Sequence, residues 1–200
     1  MFKATWEQFF ERAIRDIFQP GARILDVGAG LRIDASRGNR EDPSRAWIKP
    51  LVAKTTYLVL DPVPTYHPDI VGDVMALPMG DEEFDSVICL AVLEHLPRPW
   101  IAVQEMYRVL KPQGRVLILE FSLPGNNILR LGHHFYLRWV VPYIGFLLSG
   151  NYAAYRYLSK TIETFPYGDR FCKIIAQVGF KNVKTHPLLG GVATIYQGDK

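Results

Sequence analysis

A chain of 200 residues is about one domain, and with 48% of them apolar it can bury a sizeable core, which excludes a disordered chain. The formal net charge of +3 is too small to draw nucleic acid by electrostatics alone. Two cysteines, Cys89 and Cys172, sit inside apolar patterns and not in a CxxC pair, which argues against a disulfide framework or a metal site and for reduced thiols in the cytoplasm.

Trp6, Phe9, Phe10, Ala13, Ile14, Ile17 and Phe18 recur at helical spacing, with Glu7, Glu11, Arg12, Arg15 and Asp16 between them. The opening segment therefore reads as an amphipathic helix, not as a signal peptide. Pro20-Gly21 ends it. Ile24-Leu25-Asp26-Val27 is a short buried strand that breaks into Gly28-Ala29-Gly30, where bare backbone admits a ligand. Leu31 to Pro43 is a polar loop with Arg32, Arg37 and Arg40, and Arg45 follows. These bases read either as a solvated loop or as a lid meeting an acidic group on a ligand. Ser44 to Lys54 is helical with a break at Pro50. Thr55 to Leu60 is a second strand ending in Asp61, and Asp69 to Val71 a third leading to Gly72-Asp73. Phe84 to Leu90 is a fourth strand, Pro99 to Leu110 a helix, Lys111 to Gly114 a turn and Arg115 to Glu120 a fifth strand. Asp169 to Gly179 reads as a helix with a glycine stop, and Lys181 to Tyr196 as a closing antiparallel hairpin. Strands alternating with helices predict an α/β, doubly wound, mostly parallel sheet.

Ligands of such sheets bind outside the carboxyl ends of the strands, and Asp26, Asp61 and Asp73 all fall there. Two carboxylate oxygens of Asp61 match the two hydroxyls of a ribose. Any one of the three could equally cap a turn. Gly30 is followed by Leu31-Arg32-Ile33, so the third glycine of a dinucleotide fingerprint is missing, and a nucleoside cofactor without a pyrophosphate fits better.

Residues 22 to 120 resemble the core of class I S-adenosylmethionine-dependent methyltransferases. The resemblance rests on Leu25-Asp26-Val27-Gly28-Ala29-Gly30, Leu60-Asp61 and Val71-Gly72-Asp73-Val74. It continues through Phe84-Asp85-Ser86-Val87-Ile88-Cys89, Val92-Leu93-Glu94-His95-Leu96 and Arg108-Val109-Leu110-Lys111-Pro112-Gln113-Gly114. It implies a Rossmann-like seven-stranded sheet with an antiparallel C-terminal strand, and S-adenosyl-L-methionine as cofactor. By the same resemblance Asp26 floors the site, while Gly28 and Gly30 meet the methionine end. Asp61 would hold the ribose, Asp73 and Val74 the adenine edge, and Cys89 and Leu90 would line the donor pocket. From Leu119 on, the chain resembles the quinone C-methyltransferases of menaquinone and ubiquinone synthesis. The matching pieces include Val141-Pro142-Tyr143-Ile144-Gly145, Ser149-Gly150-Asn151, Phe165-Pro166-Tyr167-Gly168 and Gly190-Gly191-Val192-Ala193. That likeness implies a prenylated, demethylmenaquinol-like acceptor. Where that family carries an Arg-Asn pair after the fourth strand, this chain has Glu94-His95, an ending shared with generic small-molecule methyltransferases.

Methyl transfer to a quinol carbon is helped by removal of a phenolic proton. His95 is the first candidate base and Glu94 the second, with Tyr143, Tyr152 and Tyr155 as orienting groups; His95 reads equally as a cap. Between Ile128 and Gly150 the apolar run is interrupted by Arg130, His133, His134, Arg138 and Pro142, so it is not a membrane span. It reads as a lid over an apolar pocket, an interfacial surface or an ordinary buried helix. Adjacent His133 and His134 point to different sides of a helix, which argues against a shared metal. The expectation is one methyltransferase domain over 1–200 with a helical substrate-side insertion at 122–165, cytoplasmic, with peripheral membrane contact. The alternatives are a methyltransferase for another small phenol, lipid or sugar, and a cofactor-binding protein without turnover.

Overall fold

The computed structural model describes residues 5–28, 30–37, 41–150 and 152–200, apart from the side chains at 5, 6 and 148. Ala29, Arg40, Asn151 and the Trp6 side chain, all singled out from the sequence, lie outside that description. Seven strands form one sheet: β1 (Arg23–Val27), β2 (Thr56–Asp61), β3 (Ile70–Val71), β4 (Phe84–Leu90), β5 (Leu110–Phe121), β6 (Lys181–Leu188) and β7 (Ala193–Asp199). Their order is β3-β2-β1-β4-β5-β7-β6. Neighbours run parallel from β3 to β5, and β7 runs antiparallel to both β5 and β6. The doubly wound sheet with its antiparallel closing strand is the one the sequence predicts.

Near-continuous apolar strands arise because both faces of the sheet are covered. Successive side chains leave a strand on opposite sides. Leu25, Val87, Cys89, Val116, Ile118 and Tyr196 accordingly join one core with α3 (Pro99–Val109) and α7 (Asp169–Val178). Their neighbours Ile24, Ile88, Leu117 and Ile195 join a second core on the other face, against Ala13, Ile14 and Ile17 of α1 (Thr5–Ile17).

Two local features depart from the sequence reading. Pro50 does not break a helix: it starts α2 (Lys49–Val52), after a 3-10 turn at Pro43–Ile48, because proline suits a first helical turn. The Lys111–Gly114 turn is an excursion inside β5. The pairing with β4 jumps from Phe84–Leu110 to Ser86–Arg115, and Gln113 takes a positive φ of 65°.

A third, smaller core of Leu123, Leu137 and Ile162 holds the helices that follow β5. The Asn126 side chain accepts from the amides of Ile128 and Leu129 and so caps α4 (Asn127–Phe135). A π turn, Tyr136–Val140, joins it to α5 (Val141–Ser149). Gly150, at φ 72°, ends the rod, and α6 (Tyr152–Thr164) folds back along it. Gly145 of α5 lies on the ring of Tyr155, with no room for a Cβ. Ser159 Oγ donates to the carbonyl of Leu137 at 2.5 Å. Among the described residues, no helix is long and apolar enough to cross a membrane.

Candidate active site

The sheet order reverses between β1 and β4, and the turns after these strands carry the candidate site. Gly28 sits at φ 83° and donates its amide to Leu60 O at 2.6 Å. A Cβ there would overlap Val92, and a Cβ on Gly30 would lie 2.6 Å from Leu90 Cβ. Both glycines are thus required by the close approach of the β1 turn to the end of β4.

Asp26 is fully buried, and its carboxylate accepts from the amides of Gly30 (3.3 Å) and Leu31 (3.1 Å) and from Tyr57 Oη (2.5 Å). Burial raises its pKa to about 6 despite those donors. What Asp26 gives the site is the shape of the glycine turn. Arg45 grips the same turn from outside, donating to the carbonyls of Gly30 (2.6 Å) and Leu31 (3.3 Å). Arg37 donates to His67 O (2.7 Å) and Asp69 (2.9 Å), whose carboxylate also accepts from Val59 N at 2.7 Å. Arg37 and Arg45 are therefore fasteners of the chain itself, neither freely solvated nor reaching for a ligand.

At the end of β2, Asp61 is buried, with Oδ1 accepting from Val63 N at 2.9 Å. The adjoining Asp73 is exposed and accepts from Met75 N at 2.8 Å, while Val74 beside it is buried. Gly72 N donates to Asp61 O at 3.3 Å, so the ends of β2 and β3 lie together.

Cys89 is fully buried in the core behind the strand end, and burial followed by the charges of Glu94 and Asp26 pushes its thiol pKa up. Leu90 is the β4 side chain that meets the glycine turn. Ala91 then takes a left-handed φ of 56° and donates to Leu119 O at 2.8 Å. Beyond it Val92 N (3.1 Å) and Leu93 N (2.8 Å) both donate to Glu120 Oε1 at the end of β5. This staple presents the short turn Leu93–His95, against which α6 packs. Glu94 is buried with neither carboxylate oxygen accepting a hydrogen bond, and burial raises its pKa to about 7. His95 is about half exposed, its Nε2 lies 3.7 Å from Glu94 Oε1, and burial lowers its pKa. Glu120 Oε2 is a third buried acceptor without a partner.

Buried acceptors without donors are costly and rare in folded proteins. Orphaned oxygens beside a cradle of bare glycine backbone suit a ligand that is cationic and rich in N–H and O–H donors. S-adenosylmethionine is such a ligand, so the residues present fit it. Glu120 and Tyr57 were not singled out from the sequence as site residues. Glu120 carried the available signal, an acid at a strand's carboxyl end, as Asp26 and Asp61 do. Of the tyrosines expected to orient substrate, Tyr155 packs on Gly145, and Tyr143 meets Tyr152 edge-on at 5.7 Å. His134 contacts Glu163 at 3.1 Å, and no metal-binding cluster occurs among the described residues.

Residues 68–200 match the model of the ubiE/COQ5 methyltransferase family. The chain is 34% identical to the ubiquinone/menaquinone biosynthesis C-methyltransferase UbiE of Geotalea daltonii, over 98% of this chain and 85% of that protein. It is 29% identical to the demethylmenaquinone methyltransferase of Mycobacterium tuberculosis, over 97% and 82% respectively. Its fold is similar to that of a SAM-dependent methyltransferase from Aquifex aeolicus, with a TM-score of 0.59 at 14% identity, covering 94% of this chain and 88% of that one. A cradle that fits S-adenosylmethionine, on this sheet and with these relatives, leads to one assignment: the chain belongs to the ubiE/COQ5 methyltransferase family and uses S-adenosyl-L-methionine as its methyl donor.

Proposed function

We propose that this methyltransferase C-methylates a prenylated, demethylmenaquinol-like quinol. The observation that carries the reading is the Leu93–His95 turn, which sets a weakly basic imidazole 3.7 Å from a buried carboxylate that accepts no hydrogen bond. The relatives' names supply the acceptor class.

S-adenosylmethionine, when bound, supplies an electrophilic methyl group on a sulfonium. The backbone at Gly28 and Gly30 receives its methionine end, with Asp26 holding that turn in place. Asp61 binds the ribose hydroxyls, Asp73 and Val74 meet the adenine edge, and Leu90, backed by Cys89, walls the donor side. His95 accepts the phenolic proton at a ring nitrogen, which raises the nucleophilicity of the ring carbon. Glu94 stabilises the imidazolium that results, because an ionised carboxylate within 4 Å favours the charged ring. The segment 122–165 forms the acceptor-side unit of a single domain, and α6 links it to the catalytic turn. Such an acceptor resides in a bilayer, so the enzyme works from the cytoplasm at the membrane surface.

Glu94-His95 in place of the Arg-Asn pair favours a second reading, a different small phenolic, lipid or sugar acceptor. Steady-state kinetics on reduced demethylmenaquinone analogues decide between them. His95→Gln should lower kcat by about 10²–10⁴-fold with little change in the acceptor KM, since proton removal counts in the transition state. Wild-type turnover in the variant would remove His95 as base. Tight cofactor binding by wild type with no turnover of any quinol but turnover of another phenol, lipid or sugar would favour the second reading, and binding with no turnover at all a cofactor-binding protein without turnover.

A further inference from the structure

The rod formed by α4, the π turn and α5 is helical from residue 127 to 149, roughly 34 Å at 1.5 Å per residue. One side faces α6 through Leu137, Val141 and Gly145. Elsewhere Ile128, Leu131, Phe135, Trp139, Tyr143 and Leu147 follow one another at intervals of three or four, each between 53% and 82% exposed. Steps of four drift by about 40° each on an α-helix. The π turn, with its wider hydrogen-bonded loop, winds part of that drift back and keeps the residues on one stripe. A continuous apolar stripe of this kind marks an interaction surface.

Charge says what meets it. From Phe121 to Ile162 the sequence has no Asp or Glu but four fixed cations, Arg130, Arg138, Arg156 and Lys160, more than the +3 of the whole chain. Glu163, just beyond, pairs with Arg138 and contacts His134. A second copy of this cationic helical unit would bring like charges together, whereas an anionic surface would complement them. The rod is not a span, and Trp139 and Tyr143 carry apolar rings with a polar edge, as interfacial residues do.

We propose that this stripe lies flat on an anionic lipid bilayer, its apolar side chains in the acyl boundary, with Arg130 and Arg138 of the rod and Arg156 and Lys160 of the adjoining α6 among the headgroups. A groove of about 350 Å³ between the rod and the Leu189–Gly191 turn shares Ile128 with the stripe, and Leu129, Tyr136 and Leu189 line it. Resting on the quinol reading above, the groove is where a prenyl tail passes from bilayer to enzyme.

The test is flotation of the full chain with vesicles of phosphatidylcholine alone and of equal parts phosphatidylcholine and phosphatidylglycerol. Wild type should float with the anionic vesicles and less with the neutral ones, and salt should weaken it. The double variant L131S/W139S changes only exposed side chains and should lose at least about tenfold in partitioning. Its cofactor affinity by calorimetry and its turnover of a tail-less quinol should match wild type. Wild type that floats with neither vesicle, or a variant that floats as well as wild type, would overturn the proposal. So would light scattering that finds a stable dimer in wild type and a monomer in the variant. Vesicle binding without quinol turnover would leave this face standing and remove the quinol reading; turnover of dispersed quinol without vesicle binding would do the reverse.

Discussion

Asp26 and Glu94 are both acids whose pKa values burial raises, to about 6 and about 7, from ordinary values of 3.8 and 4.5. In the pH interval between the ordinary and the raised value the folded protein binds protons that the unfolded chain has released. The stability these two carboxyls contribute is therefore full below their ordinary values and is lost as pH climbs through the folded ones. Glu94→Gln removes one of these ionisations. Its melting temperature relative to wild type should move in the variant's favour between about pH 5 and about pH 8, read by calorimetry at both ends. A difference that stays constant with pH would show that Glu94 ionises freely in the folded state. If the same carboxylate supports His95, the variant should also lose the rise in kcat that accompanies ionisation near pH 7. Asp61→Ala tests the cofactor assignment: loss of the charged acceptor for ribose should cost about 1.5–3 kcal/mol of S-adenosylmethionine affinity by calorimetry. An unchanged affinity would take Asp61 out of the site. The strand-end position of these acids was legible because an aliphatic run that stops in Asp is a local pattern. Their partners were not. Tyr57 reaches Asp26 from the next strand, and only the β1–β2 register brings the two together.

Among the elements, the turn after β4 depends on a neighbour far along the chain. Glu120 accepts from two of its amides, so a short segment with one left-handed residue keeps a fixed path. Glu120→Gln retains one acceptor oxygen, whereas Glu120→Ala leaves both amides unbonded. Urea unfolding should show Ala costing about 1–3 kcal/mol more than Gln, and Ala should also lower kcat by loosening Glu94 and His95. Equal midpoints would mean the turn holds itself. Gly145→Ala is the matching test for the helix pair, because the added methyl meets the Tyr155 ring; a loss of about 1–3 kcal/mol is expected. Strands and long helices were readable from period and punctuation. The π turn was not, since an extra residue in a helix leaves no mark in apolar spacing that an α-helix could not also make. The excursion at Lys111–Gly114 was visible as a turn, but not as an interruption within one strand, because its ends are defined by pairing with β4.

On the scale of the molecule, two large cores grip the sheet from both sides while a core of three buried residues holds the helices between 127 and 164. Opening free energies follow buried contact, so that helical unit should open well below the global stability. Hydrogen exchange should release amides of α4 to α6 before those of β1, β4 and β5, and equal protection would show that the unit unfolds only with the sheet.

The strand order has a consequence for how the protein is made. Everything that shapes the cofactor cradle has left the ribosome once β5 is complete, yet the strand that seals β5 on its open side is β7, about 70 residues later. During that interval translation carries an apolar parallel sheet with a bare edge, the kind that recruits other strands. A pause in synthesis between residues 121 and 193 would therefore be the most hazardous one for this chain, and a chaperone that shields strand edges would act on it there.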